Sequence, residues 1–364
     1  MKKVISTIVL IGFLSLKASA WADPLEFDAV TEGDHHFETT QVHYVTDRNV
    51  TGNRLPAKFF GTQNSQLSFG TAFIEIPYTH KAGRVESKPF WSMGSKYSPE
   101  KYIVLEKIEQ TTQERFLQNI VRQVDGDQKN IVVVFVPGYH STFETSAKRF
   151  SQVLYDLKLN AASGIVPILY SWPSQGAFSG YKLDEISVEK STVHLHDFLL
   201  ALAAKLDKID IYVVAHSMGG RAVVSAFSKM SSIQGSLFSK FRRIVLIAPD
   251  VDQSLFLERL SAPLLSMQIP ITLYASSKDE ALKISQKEHG VPRLGEAGKN
   301  LMVLSGLETV DASDVHTDFT GHNYYTHGPV MADIAKILSG ITDPLDRSGL
   351  ASLEAKIGTY WKFK

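Results

Sequence analysis

Cysteine is absent from this chain of 364 residues. The absence excludes disulfide bonds, thiolate metal sites, a cysteine nucleophile and a lipid-modified N-terminal cysteine. An excess of charge is also lacking, because 38 Lys and Arg residues balance 38 Asp and Glu residues. No global basic field therefore favours nucleic acid as a partner. The hydrophobic fraction of 44% is ordinary for a globular protein and argues against a disordered or membrane-embedded chain.

The first 20 residues have the pattern of a signal peptide. Lys2 and Lys3 precede an apolar run over residues 4–16, and Ala18-Ser19-Ala20 supplies small residues for cleavage after Ala20. The run is too short to span a bilayer of about 30 Å, although an uncleaved membrane anchor is the alternative. No later apolar run is long enough to span, so we expect no transmembrane segment in the mature chain. The expected location is the periplasm or the outside of the cell.

The hydrophobic pattern changes near residue 100. Residues 41–89 alternate apolar and polar side chains, which predicts short strands and loops. Farther on, continuous apolar runs alternate with helical patterns, which predicts the α/β class, a mostly parallel sheet with helices on both faces. We expect an N-terminal leader and β-rich extension over 23–100, an α/β domain over 101–345 and a C-terminal tail over 346–364. The predicted strands of the α/β domain are 131–136, 166–172, 209–215, 244–248, 271–275 and 301–304.

A serine lies between a predicted strand and a predicted helix, in the segment Ala215-His216-Ser217-Met218-Gly219. In the α/β-hydrolase fold a sharp strand-to-helix turn lifts the nucleophilic serine clear of the sheet. Small flanking residues are needed there because the strand and helix backbones pack closely. Ala215 stands where the first Gly of this pattern is usual, a mild departure. The sequence therefore predicts an α/β-hydrolase fold with Ser217 as its nucleophile.

A serine nucleophile needs a base, and the base needs an acid to orient it. The α/β-hydrolase fold carries them in the order Ser, acid, His. Asp279 follows a predicted strand, and His322 lies in the loop before the last predicted helix, where Gly321 permits close approach. We therefore predict Asp279 as the acid and His322 as the base, although an acid at such a turn can also be a simple helix cap. The competing candidates are His316 and His327 for the base, and Asp250 and Asp252 for the acid.

The third requirement is an oxyanion hole built from backbone N–H groups. The amide of Met218, directly after the nucleophile, is one expected donor. The other is the amide of Tyr139, in the loop after the strand 131–136, with Gly138 allowing close backbone approach. The plain alternative for this loop is a turn before a helix capped by Ser141 or Thr142. The two interpretations are compatible.

Residues 44 to about 338 resemble the DUF900 family of α/β hydrolases, which is described only broadly as esterase- or lipase-like. The resemblance implies a triad at Ser217, Asp279 and His322. Pro137 stands where the family usually has a His before Gly138, so a side chain that helps to organise the oxyanion loop is absent. The matching phrases are Thr46-Asp47-Arg48-Asn49, Leu67-Ser68-Phe69-Gly70, Ile76-Pro77, Phe135-Val136-Pro137-Gly138-Tyr139, Ser171-Trp172-Pro173-Ser174, Ala215-His216-Ser217-Met218-Gly219, Ala248-Pro249-Asp250 and Gly321-His322-Asn323-Tyr324.

These residues predict acyl transfer from a small-molecule or lipid ester through an acyl-enzyme on Ser217, without a metal or organic cofactor. A lipase, phospholipase, acyltransferase or amidase on the same site is the alternative within the enzyme class. An alternative of another class is a non-catalytic binding or scaffold protein on a hydrolase fold, for which Pro137 is the best support.

Overall fold

The strands of the described chain join into one sheet in which the parallel strands are buried on both faces. The structure is a computed structural model that describes residues 36–88, 98–124, 131–159, 163–206, 209–233, 236–316, 320–326, 328–355 and 358–364. The predicted signal peptide lies outside these residues. The strands are β1 (Phe37–Val50), β2 (Phe60–Pro77), β3 (Val104–Thr111), β4 (Ile131–Val136), β5 (Ile165–Ser171), β6 (Asp210–His216), β7 (Phe241–Ile247), β8 (Ile271–Ala275), β9 (Leu307–Asp311), β10 (Leu350–Ala355) and β11 (Gly358–Phe363).

The longer helices follow the strands of the parallel part. The helices are α1 (Pro56–Phe59), α2 (Gln113–Val124), α3 (Phe143–Asp156), α4 (Tyr181–Lys205), α5 (Gly219–Met230), α6 (Gln253–Leu255), α7 (Ser261–Ser266), α8 (Glu280–His289) and α9 (Gly328–Leu338). A π-helical segment, Phe256–Leu260, joins α6 to α7. Of the helices in the described ranges, none combines the length and apolarity that a membrane crossing requires.

The strand order in the sheet is β10-β11-β9-β8-β7-β6-β4-β5-β1-β2-β3. The eight strands β11-β9-β8-β7-β6-β4-β5-β1 in the middle of this order all pair in parallel with their neighbours. The pairs β1–β2, β2–β3 and β10–β11 at the two ends are antiparallel. The β-rich N-terminal strands thus extend the parallel sheet through the pairing of β1 with β5, and the last hairpin extends it through β11 and β9.

The sequence of β4 shows why the sheet has a helical layer on each face. All six residues of Ile131–Val136 are apolar and buried, as expected for a strand covered on both sides. Val132 and Val134 point into a core with α2, α4 and α5. Val133 and Phe135 point into a second core with α3, α8 and α9. The predicted α/β-hydrolase-like fold is therefore confirmed.

Three details differ from the sequence expectations. A strand was expected at 301–304, but the strand in that region is β9, and Leu304 forms only an isolated bridge with Leu307. β1 and β2 are long, with 14 and 18 residues, where short strands were expected. The helical pattern over residues 188–206 predicts a helix that starts at residue 188, but the helix observed there begins at Tyr181. The division of the chain near residues 100 and 346 stays a prediction about domains, and strands from all three segments lie in the sheet.

Candidate active site

Ser217 lies between β6 and α5 in a backbone conformation that only the surrounding structure can impose. Its φ is +53°, in the left-handed region that non-glycine residues rarely adopt. Its amide donates to the carbonyl of Ile247 on the neighbouring strand at 2.9 Å. A Cβ at Gly219 would lie 2.5 Å from the carbonyl oxygens of both Val136 and Pro137. The turn therefore needs glycine at 219, the small residue that the sequence pattern supplies.

Asp279 and His322 meet although 43 residues separate them in the chain. Nδ1 of His322 donates to Oδ2 of Asp279 at 2.7 Å. The other carboxylate oxygen accepts from the amide of Leu282 at 3.0 Å, which makes Asp279 the N-cap of α8. Asp279 is fully buried. The two interpretations of this residue, helix cap and partner of the histidine, are thus both satisfied by one side chain.

The loop that carries His322 is fixed by close packing and by hydrogen bonds. Gly321 has a φ of +67°, and a Cβ there would lie 2.2 Å from the carbonyl oxygen of Lys278. The hydroxyl of the buried Tyr324 donates to the carbonyl of Tyr274 at 2.9 Å. The absence of a side chain at position 321 therefore lets the loop rest against the segment that holds Asp279.

His216 connects the turn at Ser217 to the loop that carries His322 and Tyr325, which we call the histidine loop. This role was not predicted from the sequence. Its ring lies between those of His322 and Tyr325, with both centroid distances at 4.6 Å. Nε2 of His216 donates to the carbonyl of His322 at 3.2 Å. Burial, together with the charge of His322, holds the pKa of His216 well below its ordinary value, so this ring is neutral. The signal available in the sequence was a histidine at the end of a buried strand, next to Ser217.

The loop after β4 passes directly beside Ser217. A Cβ at Gly138 would lie 2.8 Å from Cβ of Ser217 and 2.9 Å from Nδ1 of His216. Within the described residues, the amides of Tyr139 and Met218 donate to no other protein group. The two amides therefore keep unused N–H groups, and their role as oxyanion donors stays a prediction.

Contacts from three segments hold this loop without a histidine at position 137. Nε1 of the fully buried Trp172 donates to the carbonyl of Pro137 at 2.7 Å. The Tyr139 hydroxyl donates to the carbonyl of Phe178 at 2.5 Å. Thr142 then caps α3 in a reciprocal capping box, so the cap and the oxyanion loop occur together. The support that a histidine at position 137 usually gives to the oxyanion loop is supplied here by other side chains.

The third contact comes from Arg48, which is buried in a group of polar residues that we call the Arg48 cluster (Arg48, Ser141, Ser171, Ser174 and Asp184). Arg48 donates from Nη2 to the carbonyl of Ser141 at 2.6 Å and from Nε to the hydroxyl of Ser171 at 3.0 Å. Its Nη1 donates to the carbonyls of Ser174 and Gly61 at 3.1 and 3.0 Å.

The remaining members of the Arg48 cluster complete one another's hydrogen bonds. The Ser174 hydroxyl accepts from the amide of Ser141 at 3.0 Å and donates to Asp184 at 2.5 Å. Burial lowers the pKa of Arg48 to about 10, against the opposing effect of nearby carboxylates, so Arg48 stays charged. Arg48 belongs to one of the family phrases, and the sequence analysis assigned it no role.

The competing acids have other partners. Asp250 accepts from the hydroxyls of Tyr181 and Ser285 and from the guanidinium groups of Arg221 and Arg293. Burial alone would raise the pKa of Asp250, but the two arginines outweigh it and lower that pKa to about 2.

The other rivals are placed as follows. The side chain of Asp252 accepts from the amide of Leu255 and caps α6. His316 is exposed, and His327 lies outside the described residues.

An open cleft of about 1120 Å³ leads to these groups. One side is formed by residues 137–141 and the histidine loop, including His322, and another by the first turns of α3. The rim on the N-terminal side is formed by Val85, Ser87, Lys88 and residues 102–104. The volume is enough for a small organic ligand or one acyl chain with its head group.

A family model described as "Alpha/beta hydrolase of unknown function (DUF900)" matches residues 111–339. Among solved structures, the chain is similar to an acetylxylan esterase (12% identity, TM-score 0.34, 58% of this chain and 97% of that one). It is also similar to dienelactone hydrolase from Anabaena variabilis ATCC 29413 (10% identity, TM-score 0.35, 84% of this chain and 97% of that one). A third similar structure is phospholipase PlaB from Legionella pneumophila (13% identity, TM-score 0.29, 65% of this chain and 68% of that one). None of the curated proteins matches the sequence.

Proposed function

Because the chain belongs to the DUF900 family of α/β hydrolases, we propose that it is a serine hydrolase that cleaves carboxylic esters. Ser217 is the nucleophile, His322 the general base and Asp279 the acid that orients the base. The observation that carries the proposal is the 2.7 Å hydrogen bond from His322 to Asp279, formed beside a serine at a strained strand-to-helix turn.

Acylation follows from the tautomer of His322. With Nδ1–H donating to Asp279, Nε2 carries the lone pair of the neutral ring. Nε2 takes the hydroxyl proton as Oγ of Ser217 bonds to the ester carbonyl carbon, and the Asp279 carboxylate stabilises the imidazolium that forms. The imidazolium then gives its proton to the alcohol oxygen as the C–O bond breaks. The alcohol leaves, and the acyl group stays on Ser217.

Deacylation repeats these steps with water. His322 removes a proton from water as its oxygen attacks the acyl carbon, and then returns the proton to Ser217 as the carboxylic acid leaves. The amides of Met218 and Tyr139 stabilise the oxyanion in both halves of the reaction. The neutral His216 adds no charge to repel the imidazolium of His322, although their rings are in contact.

The alternatives differ in what supports them. The scaffold alternative depended on Pro137, but the contacts of Trp172 and Arg48 with this loop supply the order that the proline was expected to remove. Lipase, phospholipase, acyltransferase and amidase activities use the same groups and differ in the acyl donor or acceptor.

The test is hydrolysis of p-nitrophenyl esters from acetate to palmitate by the mature protein and its variants. We expect Ser217→Ala and His322→Ala each to lower kcat by about 10³-fold or more, because the triad acts as a unit. A fluorophosphonate probe should label the wild type and leave Ser217→Ala unlabelled.

The matched control is Ser232→Ala, which removes an exposed serine hydroxyl just after the end of α5. It should keep wild-type activity and labelling. A folded wild type that hydrolyses no ester and takes no label would contradict the proposal and favour the scaffold alternative.

We further infer that the chain is exported, on the basis of the signal pattern over residues 1–20. The mass of the mature N-terminus, measured after expression of the full chain, tests this. Cleavage after Ala20 is the expected result, and a protein that keeps residue 1 and remains in the cytoplasm would contradict it.

A further inference from the structure

One wall of the active-site cleft contains a buried hydroxyl that has no hydrogen-bond partner in the described chain. Oγ of Ser146, in the first turns of α3, is inaccessible and makes no hydrogen bond within the described chain. Tyr325, in the histidine loop, is 6% exposed, and its hydroxyl makes no hydrogen bond to another described residue. Both residues line the cleft. Buried polar groups are nearly always hydrogen-bonded, so the hydroxyl of Ser146 leaves an unused hydrogen bond at this wall of the cleft.

Arg149 brings a positive charge to the same wall. It follows Ser146 by three residues on α3, so the two side chains share one helix face. Its Nη1 donates to the carbonyl of Gly83 at 3.1 Å and to Oε1 of Gln152 at 2.7 Å. Both acceptors are neutral, and within the described chain Arg149 forms no ion pair. Its remaining N–H groups can therefore serve a ligand.

The charge of the Arg149 guanidinium acts on two residues that pack beside His322, namely Tyr325 and His216. The charge of Arg149 opposes the rise that burial causes in the pKa of Tyr325, and it contributes to the depressed pKa of His216. Both of these rings pack together beside His322. A negative group bound at Arg149 would therefore lie in the cleft that His322 also lines.

The rest of the cleft has the same sign of charge. Its described lining includes the cations Lys58, Lys88, Lys148 and Arg149 but a single carboxylate, Glu144, which pairs with Lys148. A cleft lined by one sign of charge attracts ligands of the other sign. A neutral ester would leave Arg149 without a counter-charge.

We propose that Ser146, Arg149 and Tyr325 form an anion subsite, and that the substrate of this enzyme is an ester that carries a carboxylate or phosphate group. The inference rests on the proposed function of Ser217. In the bound state the guanidinium pairs with the anionic oxygens, and the hydroxyls of Ser146 and Tyr325 donate to the same group. The anion binds here while the ester carbonyl lies at Ser217.

The test compares two substrates that differ only in charge, p-nitrophenyl hydrogen suberate and p-nitrophenyl methyl suberate. We expect wild type to have a kcat/KM about tenfold or more higher for the anionic ester, the effect of one charge-assisted hydrogen-bonded pair. Arg149→Gln should abolish the preference by raising KM for the anionic ester, with the neutral ester unaffected. An acyl chain that ends in phosphonate distinguishes a site built for phosphate from one built for carboxylate.

Two sets of variants separate a specific site from a general field or a folding defect. Lys58→Gln removes the same charge from an exposed position of the cleft rim and should leave the preference intact. Ser146→Ala and Tyr325→Phe, which keep the guanidinium and its contacts, should each lower the preference severalfold. Equal kcat/KM for the two esters in wild type, or equal losses in Lys58→Gln and Arg149→Gln, would overturn the subsite.

Binding without turnover separates this inference from the proposed function. Calorimetry with Ser217→Ala should show binding of methyl hydrogen suberate but not of dimethyl suberate, and adding Arg149→Gln should remove the binding. If wild type hydrolyses no ester while this binding pattern holds, the anion subsite stands and the proposed catalysis fails. If Ser217-dependent hydrolysis occurs while neither ligand binds selectively, the subsite fails and the proposed function stands.

Discussion

Arg48 and Arg149 are two arginines near one active site, and they differ in how many hydrogen bonds their guanidinium groups donate to the protein. Arg48 is buried and donates hydrogen bonds from all three of its nitrogens, to three carbonyls and one hydroxyl. Within the described chain Arg149 donates from one nitrogen only, and on the same cleft wall the buried hydroxyl of Ser146 has no partner. A polar cluster whose bonds are complete acts as structure, whereas one whose bonds are incomplete is prepared for a ligand.

The largest expected effect is that of Arg48→Met, which breaks the complete cluster. The carbonyls of Ser141 and Ser174 would be buried without donors, so we expect the free energy of unfolding to fall by about 3 kcal/mol. Because the oxyanion loop loses a support, kcat should fall about 10- to 100-fold for anionic and neutral esters alike. Urea unfolding and ester kinetics measure the two effects.

The control for this variant is Arg54→Gln, an exposed arginine in the turn after β1. It should change neither stability nor kcat. Arg48→Lys should recover little, since an ammonium cannot reach carbonyls in several directions at once. Wild-type stability and activity in Arg48→Met would show that the cluster does not support the loop.

A pair of serine variants sharpens the comparison at the level of single hydroxyls. Ser174→Ala removes a hydroxyl that bonds the amide of Ser141 and the carboxylate of Asp184, and it should cost about 1–3 kcal/mol of unfolding free energy. Ser146→Ala removes a hydroxyl without a partner and should change stability by less than about 0.5 kcal/mol. Thermal and urea unfolding provide the measurement. Equal losses in the two variants would remove the distinction between the clusters.

The smallest expected effect concerns the support of Arg149. The carbonyl that Arg149 binds belongs to Gly83, whose amide donates to Asp156 at 2.7 Å. His80, with a buried side chain, bridges the carboxylates of Asp156 and Glu86 at 2.9 and 2.8 Å. Burial alone would lower the pKa of His80, but these hydrogen bonds outweigh it and raise that pKa above its ordinary value of 6.5.

The sign of the pH dependence follows from this shift. A raised folded-state pKa stabilises the protein fully below pH 6.5, and the stabilisation disappears as the pH rises through the folded-state value. Between pH 6 and pH 8 we therefore expect wild type to lose unfolding free energy relative to His80→Gln. Urea unfolding of both proteins over this range is the measurement. Parallel pH profiles would show that folding does not shift the pKa of His80.

The sequence predicted the features that depend on local pattern. Continuous apolar runs identify β4 and β8 because buried parallel strands tolerate few polar residues. Chain order, the place of Asp279 after a strand and the place of His322 before the last helix predicted this pair, and the structure brings the two into hydrogen-bond contact. Their catalytic roles, and that of Ser217, stay predictions until the variants are measured.

The features that the sequence did not predict depend on distant partners or on mixed composition. The Arg48 side chain binds groups 13, 93, 123 and 126 residues away, and no local pattern reports such contacts. β9 has the mixed sequence Leu307–Asp311, while the apolar residues before it lie in a loop, so hydrophobicity alone selected the wrong segment.

The pairing of β1 with β5 has a consequence for how the chain can be shortened. The family match begins at residue 111, but β5 reaches its neighbour on that side only through residues 43–46, far upstream. A fragment that starts at residue 111 would leave the backbone amides and carbonyls of an apolar strand open along one edge, and such edges recruit strands from other molecules. A fragment that keeps this edge of β5 paired therefore includes β1, well before the segment that the family shares.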